Sequence, residues 1–217
     1  MNYYQELILF ENSEVGIGFI WQKVFQQVHI ALVENGYESS RKLNDNSEKL
    51  LRNSKIAVSF PTYGDAKFPL GSKLRLFSET KEELEKLNID KWLNRLTDYA
   101  QISSIQLVPD SAIFMVFKQK RVKGVKRLKE SLEKKAEHIA KKYGVDKDEC
   151  LKELNTKYQF EKIPLPFIQL ESQTSKKHGG NSLFQIFIEK LECKEPTDCE
   201  YDCYGLALNN TATIPWF

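Results

Sequence analysis

The chain is poor in histidine and methionine, with three of the first and two of the second in 217 residues, so an active site has few imidazoles to draw on. No apolar run approaches the ~20 residues that cross a bilayer as a helix. The opening MNYYQELILF lacks the basic start and small-residue cleavage site of a signal peptide, and the expected location is cytoplasmic. There is no G-x-x-x-x-G-K-[ST], no H-E-x-x-H and no G-x-S-x-G, which excludes a P-loop, a zincin helix and a nucleophile elbow. Gly16-Ile17-Gly18 is too short for a dinucleotide fingerprint. Acidic side chains form no evident pair or cluster on a strong element, so metal-dependent nuclease chemistry lacks its ligands. The cysteines are also few: Cys150, Cys193, Cys199 and Cys203. The last three are separated by five and three residues, with no C-x-x-C pair and only His178 nearby. Structural zinc sites show tighter pairs, so reduced, half-buried thiols are expected, with no metal and no other cofactor.

What is present is an ordinary core and an uneven charge. Hydrophobic residues make up 41% of the chain, enough for one large domain or two small ones. Net charge is +2, yet Lys118 to Lys142 holds eleven Lys/Arg and three Glu. That segment carries +8, so the remainder carries −6. A basic segment on an acidic protein points to a localised polyanion site, with a solvated Lys-rich helix as the alternative.

Periodicity places the elements. Tyr3 to Phe10 reads as a strand. Ile17 to Glu34 reads as a helix, with Ile20, Val24, Val28 and Leu32 in one row and Asn35-Gly36 as its C-cap pair. His29 lies on the rim of its apolar side. Tyr37 to Ser54 is polar and reads as loop or short helix. Strands follow at Ile56 to Phe60 and Lys73 to Phe77, then a helix from Ser78 to Tyr99 with Thr80 and Glu83 as a capping box, then a strand at Ile105 to Val108. Strand, helix, strand, strand, helix, strand is the split βαβ, or ferredoxin-like, order. The fold class expected is α+β: a ferredoxin-like domain at 1–110 and a second domain at 111–217 with a basic helix and a small sheet. In that second part, Ala112 to Gln119 reads as a strand and Lys123 to Tyr143 as an amphipathic helix. Val125, Leu128, Leu132, Ala136, Ile139 and Tyr143 form its stripe. Arg127, Lys134 and Lys141 recur every seven residues nearly opposite it, making a cationic ridge. A short helix is expected at about Asp146 to Leu154, then strands at Phe167 to Leu170, Leu183 to Leu191 and about Tyr201 to Leu208.

A histidine, hydroxyls and a cationic surface suffice for one metal-free reaction. RNA carries its own nucleophile, the 2′-OH. An enzyme then needs a base, a group that holds the ribose in line, and positive charge for the phosphate.

Ordered pieces of the chain make this reading specific. The ending CYGLALNNTATIPWF, Cys203 to Phe217, resembles the C-Y-G-L…P-W-F ending of the CRISPR-associated endoribonucleases of type I-F (Csy-type) systems. YYQELILF, VHIALV around His29, IAVSFP, LGSKLRLF, KWL, LPFIQLESQTS and FQIFI agree in order across both halves. The resemblance implies a ferredoxin-like domain joined to an RNA-gripping domain. It implies metal-independent cleavage of precursor RNA at the 3′ base of the repeat hairpin, leaving 2′,3′-cyclic phosphate and 5′-OH ends. The partners implied are the CRISPR repeat RNA and the other subunits of a type I-F surveillance complex, with no membrane. A catalytically silent hairpin-binding subunit is the alternative.

By the same resemblance, His29 matches the histidine that activates the 2′-OH, Ser172 the serine that holds the ribose, and Tyr204 the tyrosine beside the histidine. Phe184 matches an aromatic that stacks on a base, with Phe187 competing for the role. Gln119 matches a base-reading glutamine. The family's arginine two residues before it is replaced by Phe117, which leaves Lys118, Lys120 or Arg121 to substitute, although lysine does not copy arginine's bidentate fork. Lys123, Arg127, Lys134, Lys135 and Lys141 match the basic helix, and Thr174 and Ser175 lie in the serine-bearing loop. Two insertions depart from the pattern, at Tyr37 to Lys55 and at Lys176 to Gly180.

Overall fold

A computed structural model describes residues 1–11, 14–42, 48–121, 125–157, 165–172, 175, 182–193 and 200–217; of these, 41–42, 48–49, 125–128 and 157 are described by backbone alone. The chain divides into two compact units, Met1–Lys120 with Leu165–Phe217, and Arg121–Pro164. The expected second domain, 111–217, therefore draws on both units.

The first unit begins with β1 (Tyr3–Leu9), α1 (Ile17–Glu34), β2 (Tyr37–Lys42), β3 (Glu48–Ser54), β4 (Ala57–Ser59), β5 (Lys73–Ser78), α2 (Lys81–Leu87), α3 (Ile89–Leu93), β6 (Ala100–Ile102) and β7 (Gln106–Leu107). One sheet has the order β4-β5-β1-β6, with β7 also on β1, and all its pairings are antiparallel. With the β2–β3 pair set aside, the strands lie in the order second, third, first, fourth. That is the ferredoxin-like arrangement the element order implied. Alternation in β1 puts Gln5, Leu7 and Leu9 on the core side. Helix α1 buries Ile20, Trp21, Val24, Phe25, Val28, Ala31 and Leu32. At ~1.5–3 kcal/mol for each large side chain buried, this face holds the helix in one rotational setting. The indole of Trp21 is buried, and its N–H donates to the Gly71 carbonyl at 2.7 Å.

Three expectations are corrected in this part, and the Asn35-Gly36 end of α1 is borne out. Residues 37–42 and 48–54 are strands rather than loop or helix: β2 and β3 pair antiparallel, and β3 also pairs with β11 (Tyr201–Asp202). Polar residues form strands there because a partner distant in sequence supplies the ladder. The expected 78–99 helix breaks into α2 and α3 at Asn88, which adopts a left-handed conformation (φ 47°). Thr80 is the N-cap of α2 but makes no capping hydrogen bond, and Glu83 reaches Lys55 at 3.6 Å instead. Asn35 caps α1 without left-handed geometry, and Gly36 is demanded by space. A Cβ there would lie 2.5 Å from the Asn53 carbonyl oxygen.

The rest of this unit forms β8 (Ile113–Lys120), β9 (Phe167–Glu171), β10 (Leu183–Glu192) and β12 (Ile214–Trp216), in the order β12-β8-β10-β9. Strand β11 is two residues long, against the eight expected from Tyr201 to Leu208, because the chain turns at once after Asp202. Pro215 lies in β12, at the sheet's edge, where a missing N–H is tolerated. The second unit, described by itself, is a helical hairpin of α4 (Val125–Tyr143) and α5 (Lys147–Lys157). Leu132, Ala136 and Leu154 form its small core, with Ile139, Cys150 and Leu151 against it. Tyr143 is expected on the apolar stripe but, as the last residue of the helix, is 67% exposed.

Candidate active site

Helix α1 brings His29 against the turn that follows β11. The two rings of His29 and Tyr204 stack, with centroids 4.1 Å apart and planes 17° from parallel. His29 Nδ1 lies 2.9 Å from the Cys203 carbonyl oxygen. A carbonyl only accepts, so Nδ1 carries the proton and donates it. The neutral ring then has a bare lone pair on Nε2. Burial is the larger influence on this imidazole and pulls its pKa below the ordinary 6.5, while the bond to Cys203 opposes the pull. Near neutral pH, His29 is thus an unprotonated base with a fixed tautomer. Tyr204 has the opposite character. Burial, with Cys203 and Asp202 adding to it, pushes its phenol up to about 12, so it stays protonated and neutral. Burial and Asp202 likewise push the Cys203 thiol up to about 11, which makes it a poor nucleophile.

The turn that presents the Cys203 carbonyl is over-determined. Asp202 Oδ1 accepts from the backbone N–H groups of Tyr204 and Leu206, at 2.8 and 3.0 Å. The Gly205 N–H donates to the Asp202 carbonyl, and the Gly205 carbonyl accepts from Val58 N–H in β4, both at 2.9 Å. Gly205 has φ +73°, and a Cβ there would sit 2.7 Å from Val58 Cγ1 and 3.2 Å from Leu32 Cδ1. Only glycine combines that backbone angle with that approach to β4 and α1. The Cys-Tyr-Gly-Leu stretch is therefore one structural device. Asp202 and Gly205 shape it, and Cys203 and Tyr204 face the imidazole. Asp202 was absent from the sequence-derived candidates. Its signal was faint: an Asp two residues before a Tyr-Gly pair, the spacing of a side chain that bonds its own turn.

Ser172 follows β9 directly. Its N–H donates to the Ser182 carbonyl at 2.6 Å, and its hydroxyl oxygen accepts from the Ser175 N–H at 3.2 Å. Helix α1 also ties down this end: Gln26 Oε1 accepts from the Glu171 N–H at 3.0 Å. Gln26 and His29 are neighbours on one face of α1, three residues apart. One helix therefore reaches both the imidazole–tyrosine stack and the strand end that carries Ser172. Ser175 touches Ser172 through its backbone, whereas Thr174 lies outside the described residues.

The expected RNA contacts are scattered. Phe184 pairs with Leu170 and is half-buried against the core, on the same face as Ile186 and Ile188. On the opposite face, Phe187 and Phe167 form a tilted ring pair 5.5 Å apart. Gln119 lies in β8 opposite Ile188, half-buried. Lys118 and Lys120 both bind Glu189, at 3.2 and 3.1 Å, and Lys118 also donates to Asn210 at 2.7 Å. These two cations are thus partly neutralised, whereas Arg121 is exposed. Phe117 is 1% exposed and packs against Phe60, Tyr63 and Trp216. The position where the resembled family carries an arginine is here part of the core. In the second unit Lys134, Lys135 and Lys141 are exposed on α4, and Lys141 pairs with Glu137 at 3.1 Å. Lys123 lies outside the described residues, and Arg127 is described by backbone alone.

Among the described residues no group of three or more His, Cys, Asp or Glu is placed to hold a metal, and Cys150, Cys193 and Cys203 are free thiols. Cys199 and His178 lie outside the described residues. Among the described residues no helix is long and apolar enough to cross a membrane.

Over residues 4–217 the chain matches the family described as CRISPR-associated protein (Cas_Csy4). The CRISPR-associated endonuclease Cas6/Csy4 of Escherichia coli (strain UTI89 / UPEC) is 28% identical to it over 218 residues, covering 100% of both chains.

Proposed function

Since the chain belongs to the Cas_Csy4 family of CRISPR-associated proteins, we propose that it is an endoribonuclease that processes precursor CRISPR RNA, with His29 as its base. The observation that carries this reading is the bond from His29 Nδ1–H to the Cys203 carbonyl, which leaves Nε2 bare. In this reading Nε2 takes the proton of a ribose 2′-OH. The 2′-oxygen attacks the adjacent phosphorus, the bond from phosphorus to the 5′-oxygen breaks, and that oxygen takes a proton from solvent water to leave as a 5′-OH, while the imidazolium later returns its proton to solvent. The other product keeps a 2′,3′-cyclic phosphate. The charge that develops on the imidazole is offset by the Cys203 carbonyl and by the face of the Tyr204 ring. Ser172 holds the ribose, and no metal takes part.

The RNA is a repeat hairpin cut at its 3′ base. Residues 1–110 supply the base, and 111–217 supply Ser172, the Cys203–Tyr204 turn and the grip on the hairpin. Lys118, Gln119, Lys120 and Arg121 meet the hairpin from β8 onward, with Phe184, Thr174 and Ser175 near the cut. Lys123, Arg127, Lys134, Lys135 and Lys141 on the basic segment hold phosphates. The protein stays on the mature RNA in the cytoplasm, as a subunit of a type I-F surveillance complex.

The test is incubation of the protein in EDTA with the repeat RNA of its own CRISPR array. Cutting at one phosphate with a cyclic phosphate end is expected, and a 2′-deoxy substitution at that ribose should stop it. Tight binding without cutting would make the protein a silent hairpin subunit. Activity lost in EDTA and restored by a divalent ion would replace His29 with a metal.

A further inference from the structure

A cleft of about 530 Å³ lies beside the candidate active site, between α1, α3 and the end of β9. Three cations line it: Lys23 from α1, Lys91 from α3 and Arg95 just beyond α3. All three are exposed, and none is in an ion pair among the described residues. The amides of Gln26 and Gln27 and the half-buried Trp92 complete the polar and aromatic lining. One carboxylate, Glu171, also lines it, and its Oε1 accepts from the Ser182 hydroxyl at 3.1 Å. The lining thus carries a net excess of positive charge. Outside Lys118 to Lys142 the chain sums to −6, so a cationic cleft here runs against the background.

Its position gives the charge a use. Gln26 both lines the cleft and accepts the Glu171 N–H, one residue before Ser172. On α1 it precedes His29 by three residues, about 4.5 Å of helix rise. Strand β9 is the edge of the β12-β8-β10-β9 sheet, and α1 packs against it. An RNA whose hairpin is met by β8 and β10, and whose cut lies at Ser172 and His29, leaves the sheet at this edge. Its next nucleotides then run along α1 into the cleft.

We propose that the cleft binds the single-stranded RNA immediately 3′ of the cut. Lys23, Lys91 and Arg95 take its phosphates, and Trp92 offers a ring on which a base can stack. The inference rests on the endoribonuclease reading and names a substrate segment that the hairpin contacts do not include. It also gives product release a direction, because the downstream fragment leaves the cleft while the hairpin stays.

The test compares two repeat-hairpin RNAs, both 2′-deoxy at the cut so that neither is cleaved. One ends at the cut and the other continues as single strand. Each is titrated against the wild type and against Lys91→Glu/Arg95→Glu, with Lys91→Ala/Arg95→Ala as the milder variant. Wild type should bind the extended RNA roughly tenfold more tightly. Its log-affinity should also fall more steeply with log salt, by about 0.7 for each extra phosphate held. In both variants the preference should shrink, most in the Glu pair, with Lys23 and Trp92 retaining a part of it. Equal binding of the two RNAs by wild type overturns the cleft assignment alone, as does a preference left undiminished in both variants. Failure to bind either RNA overturns the endoribonuclease reading, and the cleft assignment with it.

Discussion

Helices α1 and α4 are nearly the same length, 18 and 19 residues, and are used in opposite ways. Helix α1 buries seven side chains and offers His29 at the rim of that face, held by a carbonyl 174 residues away. Helix α4 buries Leu132 and Ala136 among its described side chains, and its exposed side carries Lys129, Lys134, Lys135, Lys141 and Lys142 beside Glu130, Glu133 and Glu137. The first is a positioning element. Burial fixes its rotation, and rotation decides where one imidazole nitrogen points. The second supplies charge, which acts over several ångströms and tolerates small displacements. Chemistry that depends on one lone pair belongs on the first kind of helix, and phosphate affinity belongs on the second.

Substitutions should separate the two. The largest effect is expected from His29→Ala, with single-turnover cleavage down by about 10²–10⁴-fold. Hairpin affinity should hold, so matching losses in binding and cutting would erase the distinction. Next is Gly205→Ala, which forces an L side chain into a left-handed conformation against Val58. It should lower stability by about 1–3 kcal/mol in a denaturant melt and impair cleavage by displacing the Cys203 carbonyl. A neutral result would show that the turn does not position His29. Lys134→Ala with Lys141→Ala should do the reverse. Stability should change by about 0.5 kcal/mol or less, and the rate at saturating RNA should hold. Affinity should weaken, with a salt slope shallower by about 0.9 for each phosphate that is no longer neutralised. The smallest effect is the pH dependence of stability. His29 has a folded pKa below 6.5, so the unfolded chain binds more protons between the two values. Its contribution to stability is therefore present above 6.5 and is lost as pH falls through the folded pKa. A melting series across that window should flatten in His29→Gln.

The split between the two helices also tracks what a sequence can show. Helix α1 was legible end to end, from Ile17 to Glu34, because a wide apolar row has an unmistakable period. The ferredoxin-like element order was legible from alternation, but the fourth strand was expected at Ile105 to Val108, whereas the sheet's path ends on β6, Ala100–Ile102, and only the two-residue β7 falls within the expected span. The β2–β3 pair was not legible, because polar residues such as Tyr-Glu-Ser-Ser acquire strand character only from the ladder with β3, which β11 pairs on its other side. Asn88 breaks a helical pattern with a backbone angle that composition does not reveal. At the site, His29 and Tyr204 were named from the ordered resemblance, and the structure stacks them. What holds them could not be named, because a backbone carbonyl has no side-chain signature and Asp202 acts only on its own turn. Phe117 shows the converse. Its departure from the family's arginine was visible in sequence, but its burial among three aromatic rings was not.

The central claim is that the Cys203 carbonyl makes His29 a neutral base with its free lone pair on Nε2. A ¹⁵N-resolved imidazole titration of the folded protein tests it directly. At neutral pH the proton is expected on Nδ1, with a bare Nε2 and a titration midpoint below 6.5. A proton on Nε2, or a midpoint above 6.5, would contradict it.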